Sequence, residues 1–347
     1  MKALIWEEKG KIKLTDKEKP QITAQSDAII KVTLSSICTS DLHIINKAVP
    51  SAKHNIVLGH EFVGEVVEIG SEIKNFKIGD RISANCITFC GKCYYCKKGF
   101  INNCQEGGWE LGCKIDGCQA EFVKVPFADT CLTKLPDNVS YENALFIGDI
   151  LSSGYFGAEL CNIKENDTVA IIGSGPVGLC AMQCAKLFGA KNIIAIDIDP
   201  KRLEIAKNLN LATKIIEFKN KYIENSILNL TNDRGADCVI EAAGTEESFE
   251  LAWKIARPNA TVAIVAIYEQ PQILPLNKMY GKNLTFKTGG VDAIHCAKLV
   301  KLISENKLNT DFLISKKFPL NKIEEAYEYF KNKKDNCLKV AITPFEY

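Results

Sequence analysis

The run from Thr168 to Asp197 restricts what this chain can fold into more than any other part of it. Thr168-Val-Ala-Ile-Ile172 has the length and apolar character of a buried strand, and Gly173-Ser174-Gly175-Pro176-Val177-Gly178 follows it without a spacer. Small and apolar residues then recur at helical spacing from about Pro176 to Phe188, with Gly189 as a stop. Asn192-Ile-Ile-Ala-Ile-Asp197 is a second strand, and it ends in an acid 24 positions after the first glycine (173 to 197). A glycine triplet alone is often just a loop. Strand, triplet, helix, strand and terminal acid in this order predict a dinucleotide site, in which the glycines admit a pyrophosphate and the acid takes the ribose hydroxyls. The alternation continues through a helix near Pro200 to Asn208. Strands follow near Thr213 to Glu217, Ala236 to Glu241, Ala260 to Val265 and Asn283 to Thr288. Six strands predict an α/β region with a doubly wound parallel sheet.

Asp197 also bears on which dinucleotide is held. A carboxylate there accepts hydrogen bonds from ribose hydroxyls and repels a 2′-phosphate, and Ile198 and Asp199 add no cation. Lys201 and Arg202 argue the other way, since Arg commonly receives a phosphate. The balance predicts NAD rather than NADP.

The chain before residue 150 has a different texture. Asp27-Ala-Ile-Ile-Lys-Val-Thr-Leu34, Phe62 to Gly70 and Phe76 to Ser83 show β-type patterns, with glycines where a strand bends or turns. A mostly β, barrel-like domain is expected there. At 347 residues the chain has room for two domains. Forty-three Lys plus Arg against 42 Asp plus Glu leave a net charge of +1, so no global field gathers nucleic acid or an anionic membrane. The start lacks an apolar signal region, and no apolar run has transmembrane length, so the expected protein is soluble and cytoplasmic. Fifteen cysteines without a secretion signal point away from a disulfide framework and toward metal ligands and buried thiols.

Two cysteine-bearing stretches carry the metal chemistry. Cys90-Gly-Lys-Cys93-Tyr-Tyr-Cys96, followed by Cys104, sets four thiols where one loop can wrap a zinc ion and close its tetrahedron. That is a structural zinc pattern, with Cys86 and Cys113 as flanking confounders. Cys38-Thr-Ser40-Asp41-Leu-His43 and Gly59-His60-Glu61 combine thiol and imidazole, and a carboxylate further along could give a third ligand while leaving an open position. An open position means catalysis.

Taken in order, Cys38-x-Ser40-Asp41-x-His43, Gly59-His60-Glu61, the four-cysteine lobe, Gly148-Asp149 and the glycine triplet resemble the zinc-containing medium-chain alcohol dehydrogenases over nearly the whole chain. The Cys38 to Arg81 and Asp149 to Tyr155 stretches look like bacterial secondary-alcohol dehydrogenases, which often lack the four-cysteine lobe kept here. The resemblance implies a GroES-like β-rich catalytic domain over residues 1–150, with a structural zinc lobe at about 86–113. It implies a Rossmann domain over 151–288, a return to the catalytic domain over 289–347, and a cofactor cleft between the two. Two zincs per chain are expected, one held by Cys38, His60 and Asp149 with Glu61 as an intermittent ligand. In Gly148-Asp149-Ile-Leu-Ser-Ser-Gly the acid could equally be a helix N-cap.

By the same resemblance, Ser40 accepts the alcohol proton and passes it through the cofactor ribose to His43, and Arg202 contacts ribose rather than phosphate. Asp41 would orient a ligand. Trp109 falls where secondary-alcohol relatives place a pocket wall, although a Trp is more often core packing. The implied activity is hydride transfer between a small secondary alcohol or short polyol and NAD, by a homo-oligomer, tetramer or dimer. Threonine-type and sorbitol-type dehydrogenases, or a non-enzymatic zinc- and NAD-binding relative, are the alternatives.

Overall fold

The structure, a computed structural model, describes residues 1–345. It divides into two compact units, Met1–Ser152 together with the chain from Asp292 onward, and Ser153–Val291.

The first unit opens with the antiparallel pair β1 (Lys2–Glu8) and β2 (Lys11–Asp16), turned at Gly10, whose φ of +77° is the left-handed region a tight turn needs. β3 (Ala28–Ile37) follows, then β4 (Ile56–Val57), β5 (Phe62–Ile69), β6 (Arg81–Ala84), β7 (Phe122–Val125) and β8 (Leu132–Lys134). β3 is buried on both faces, which explains why Ala28-Ile-Ile and Ser35-Ser-Ile carry little alternation. Phe62, Ile82, Val123 and Leu132 pack one core, and Leu4, Trp6, Ile37 and Ile44 another.

The second unit holds the expected parallel sheet. Its strands are β9 (Thr168–Ile172), β10 (Asn192–Asp197), β11 (Lys214–Glu217), β12 (Ala236–Glu241), β13 (Ala256–Ile264) and β14 (Thr285–Thr288), in spatial order β11-β10-β9-β12-β13-β14. Every pairing is parallel, and the order reverses beside β9, where such sheets bind their ligand. β13 starts four residues before the expected Ala260 (256 against 260). Ala256 pairs with Ala236, the register then slips, and the intervening Pro258 and Asn259 (φ +60°) form the bulge that their sequence reads as a turn. Helices Pro176–Leu187 and Glu246–Ile255 cover the sheet, and Phe249, Trp253 and Ile255 enter its core.

After the second unit the chain supplies β15 (Ile314–Pro319) and β16 (Lys339–Thr343). β16 lies antiparallel to β3, giving the sheet order β15-β16-β3-β5-β6-β8, with β7 also on β3. Helix Ile323–Lys331 buries Ile323, Ala326 and Tyr327 against the core that contains Trp6. Among the described residues no helix is long and apolar enough to cross a membrane.

Candidate active site

β3 ends at Ile37, and Cys38 opens the helix Thr39–Ile45 in extended backbone conformation. The Asp41 carboxylate turns back to accept the Cys38 N–H at 2.9 Å, a reciprocal cap that fixes where the Cys38 thiol projects. His60 and Glu61 lie between β4 and β5. Gly59 before them has φ +95°, and a Cβ there would lie 2.6 Å from the Gln119 side chain, so no other residue fits.

Asp149 arrives from elsewhere in the chain. It sits in a single π-turn, Ile147–Leu151, closed by the Leu151 N–H on the Phe146 carbonyl at 2.8 Å. Such one-turn bulges recur at functional sites because they re-aim a side chain. Gly148 presses on the end of β6, where an added Cβ would collide with the Ala84 carbonyl. Asp149 is therefore inside a helical turn and not the N-cap residue that the sequence also allowed.

These elements bring Cys38, His60 and Asp149 together, with one ligand atom from each within 4.8 Å of the others. His60 Nε2 is 3.2 Å from Asp149 Oδ2, and Cys38 Sγ is 3.8 Å from the same oxygen. Burial alone would push the His60 imidazole down. Asp149, Asp41 and Cys38 outweigh it and hold His60 well above the ordinary range. Burial would likewise raise Asp149, yet His60 and Lys339 take it down to about 2. Thiol, imidazole and carboxylate donors thus converge on one point, a three-residue set that could hold a zinc ion with one position to spare.

Around this trio the other expected residues are unevenly placed. Ser40 Oγ is 3.6 Å from Cys38 Sγ. His43 lies half-buried three residues further along the same helix face. Glu61 stands outside the trio: its Oε2 meets the buried Lys339 ammonium at 2.5 Å, while burial pushes its carboxyl up to about 7. Trp109 packs edge-on to the His60 ring at 5.7 Å between centroids, against the core of Trp6, and its buried indole N–H has no hydrogen-bond partner.

The four cysteines of the lobe also meet. Cys93 and Cys96 sulfurs are 3.5 Å apart, Cys90 and Cys104 3.6 Å, and Cys93 and Cys104 4.0 Å. Zinc–sulfur bonds of about 2.3 Å in a tetrahedron require edges of about 3.8 Å, so the spacing fits. Backbone N–H groups of Cys90 and Glu106 point at Cys104 Sγ. Those of Cys96 and Gln105 hold the Cys93 thiol down to about 6, whereas burial and its neighbours push Cys96 up to about 12. Four sulfurs competing over protons in this way are the donor set a divalent cation relieves. Of the two confounders, Cys113 is buried beside Ser51, and Cys86 lies 3.7 Å from Asp149 Oδ1.

In the second unit Gly173 has φ +98°, and a Cβ on Gly178 would strike the Gly173 carbonyl, so triplet, helix and strand close up tightly. Gly175 is open on its outer side apart from Arg202 Nη1, 3.5 Å from where a Cβ would stand. Ser174 Oγ is buried without a partner, and Pro176 opens the helix whose N-terminus faces the turn, with Val177 half-buried behind it. The Asp197 carboxylate, at the end of β10, accepts the Ser174 N–H at 2.5 Å and the Asp199 N–H at 2.8 Å. An open glycine turn, a helix N-terminus and an unpartnered hydroxyl fit a dinucleotide.

Comparison with known proteins decides the family. Residues 24–137 match the alcohol dehydrogenase GroES-like domain and residues 176–304 the zinc-binding dehydrogenase domain. An alcohol dehydrogenase of Cupriavidus necator is 34% identical over 99% of both chains. The chain belongs to the zinc-containing medium-chain alcohol dehydrogenases. An NADP-dependent isopropanol dehydrogenase of Thermoanaerobacter brockii is 35% identical over 96% of this chain and 97% of its own. The solved alcohol dehydrogenase of Thermus sp. ATN1 superposes with a TM-score of 0.92 at 35% identity, over 99% of each chain. This family member is a zinc-dependent oxidoreductase acting on alcohols with a nicotinamide cofactor.

Several residues at the site carry no signal in the sequence. Lys339, Gln119 and Tyr327 reach it from 278, 78 and more than two hundred positions away, and none belongs to a motif. Cys86 drew notice only as a neighbour of the lobe.

Proposed function

We propose that this dehydrogenase interconverts small secondary alcohols and ketones with NAD, and that it holds two zinc ions with separate tasks. The observation that carries the reading is the meeting of Cys38, His60 and Asp149, with the Ser40 hydroxyl 3.6 Å from the Cys38 sulfur. A zinc held at that point would supply the positive charge that lowers the alcohol pKa, with a bound nicotinamide as the hydride acceptor. Cys38, His60 and Asp149 would be the three protein ligands of that zinc. Ser40 accepts the hydroxyl proton, and His43 on the same helix face lets it leave toward water. Glu61 is held by Lys339 and acts as a ligand only when it turns from that ammonium. Cys90, Cys93, Cys96 and Cys104 would hold the second zinc, whose four protein donors would serve folding rather than turnover.

Asp197 supports NAD over NADP. Its carboxylate is fixed by two backbone N–H groups, and a charged hydrogen bond to ribose is worth about 1.5–3 kcal/mol, a preference of roughly tenfold to over a hundredfold. Asp199 Oδ2 lies 3.9 Å from Arg202 Nε and offsets the guanidinium that stands beside Gly175. The isopropanol-dehydrogenase relatives use NADP, so the cofactor is the first thing to measure. The deciding experiment follows NADH and NADPH formation with propan-2-ol, butan-2-ol, butane-2,3-diol, sorbitol and threonine, with and without a zinc chelator. Highest kcat/KM with a small secondary alcohol, and at least about tenfold preference for NAD, is expected. Highest turnover of sorbitol or threonine would move the reading to those types, equal use of both cofactors would remove NAD, and turnover of none would leave a binding protein.

A homo-oligomer is also inferred. β14 is a sheet edge, and Ile273, Leu274, Leu276 and Tyr280 expose apolar surface just before it. Light scattering that gives the monomer mass would end that inference.

A further inference from the structure

A chain of buried polar groups runs from the C-terminal helix to His60. Tyr327, Gln119, Asp41 and His60 are all at most 3% exposed; the first three follow one another donor to acceptor, and Asp41 then faces His60. The Tyr327 hydroxyl donates to Gln119 Oε1 at 2.8 Å. Gln119 Nε2 donates to Asp41 Oδ2 at 3.1 Å and to the Ser36 carbonyl at 3.3 Å. Asp41 Oδ2 also receives the Cys38 N–H, and Asp41 Oδ1, with no hydrogen-bond partner of its own, faces His60 Nδ1 at 3.5 Å.

The direction of each bond is forced. Ser36 O and Asp41 Oδ2 are acceptors only, so the Gln119 amide must present its NH2 to both, which leaves its carbonyl for a donor. Tyr327 is that donor. Burial and the nearby Asp41 push its pKa well above the ordinary phenol range, so the hydroxyl keeps its proton. Without Tyr327 the Gln119 carbonyl loses its donor, and the amide is oriented by its two NH2 contacts alone. Gln119 cannot move away. Its N–H and carbonyl are tied to Leu58 and Leu4 at 2.9 Å, and its side chain packs against Gly59, the residue before His60.

Asp41 is the point of transmission. Two donors clamp Oδ2, which fixes the carboxylate plane and directs Oδ1 at the ring nitrogen of His60 that faces away from Cys38 and Asp149. A carboxylate on that nitrogen selects the tautomer with a free Nε2 and makes Nε2 a better metal ligand. We propose that Gln119 and Tyr327 are positioning residues that set how tightly, and in what ligand field, the metal is held at Cys38, His60 and Asp149. This rests on the assignment of a zinc to those three residues.

The test uses the zinc-loaded full chain and the rate at which each zinc passes to a chromogenic chelator. The lobe zinc, bound to four sulfurs elsewhere in the unit, is the internal control. Gln119→Leu should speed release of the His60-site zinc by about 10- to 100-fold, the usual effect of removing an outer partner of a metal ligand, and Tyr327→Phe by about 3- to 10-fold. Lobe release should stay unchanged. After cobalt exchange, the visible absorption bands of the His60 site should shift in both variants. Tyr327→Phe removes one oxygen from a buried ring and keeps the test alive should Gln119→Leu not fold. Release within twofold of the unmodified protein together with unmoved cobalt bands, even with a lowered melting temperature, would reduce the pair to structural packing. Failure of the underlying assignment shows separately, as an Asp149→Asn protein that keeps its full zinc content, and would overturn both.

Discussion

The two thiol-bearing clusters of the first unit are built in opposite ways. The lobe takes all four donors, all sulfur and in part exposed, from the one stretch between Cys90 and Cys104, and backbone N–H groups of Cys90 and Glu106 point at Cys104 Sγ. The other takes three different donors, two of them 111 positions apart, and sets them by β3, the Gly59 turn and a π-turn. A loop whose four donors lie within fifteen positions could be cross-linked by a single ion, so that binding would add directly to folding stability. A site assembled from rigid elements can keep a position open and still hold its shape. On the proposed two-zinc reading, metal would act as a staple in one and as a reagent in the other.

Removing one donor from each cluster tests that division, and the largest effect is expected at the second. Asp149→Asn should take turnover below detection and cost one zinc equivalent, while melting temperature and lobe zinc stay close to those of the unmodified protein. Full zinc and activity in this variant would remove Asp149 from the metal and leave its π-turn unexplained. Ser40→Ala, beside the same cluster, should keep both zincs and bind NADH normally while kcat falls by roughly two to four orders of magnitude. A drop confined to KM would instead make Ser40 a binding group.

Cys93→Ser should do the reverse of Asp149→Asn. It loses the lobe zinc and destabilises the fold by on the order of 3 kcal/mol, seen in the urea midpoint. Protein that remains folded should turn over alcohol, since the four lobe cysteines form a cluster separate from Cys38, His60 and Asp149. Unchanged stability and metal content would remove the structural site.

The same contrast governs what was legible beforehand. The six-strand sheet and its glycine turn were readable because strand and helix periods are local, and the lobe because its four cysteines span fifteen positions (90 to 104). Cys38 and His60 could be recognised only as ligand types awaiting a third. Asp149 carried two readings until its backbone proved to be an interior π-turn, a conformation with no residue signature. Lys339, which draws Glu61 aside, is a lysine in a strand and would be read as solvated; its burial follows from β16 lying on β3. Gln119 and Tyr327 are invisible for the same reason, being polar residues whose partners exist only after long-range pairing.

Trp109 offers the smallest and sharpest test, because it follows the lobe in sequence while its ring lies on the other cluster. Its face supports the core around Trp6, and its edge stands 5.7 Å from the His60 ring. If the indole limits the space beside the metal, Trp109→Ala should raise kcat/KM for a branched ketone relative to acetone by about tenfold, near the 1–3 kcal/mol that a methylene-sized change in an apolar pocket commands. The unpartnered indole N–H makes its loss less costly in polar contacts, but emptying a core position still costs about 3–5 kcal/mol for a fully buried aromatic, and less for a half-buried one. Trp109→Phe separates the two roles, since it keeps most of the core contact and removes the outer ring. Altered substrate preference in Trp109→Phe at an unchanged melting temperature assigns the indole to the pocket, whereas a lowered melting temperature with unchanged preference returns it to the core.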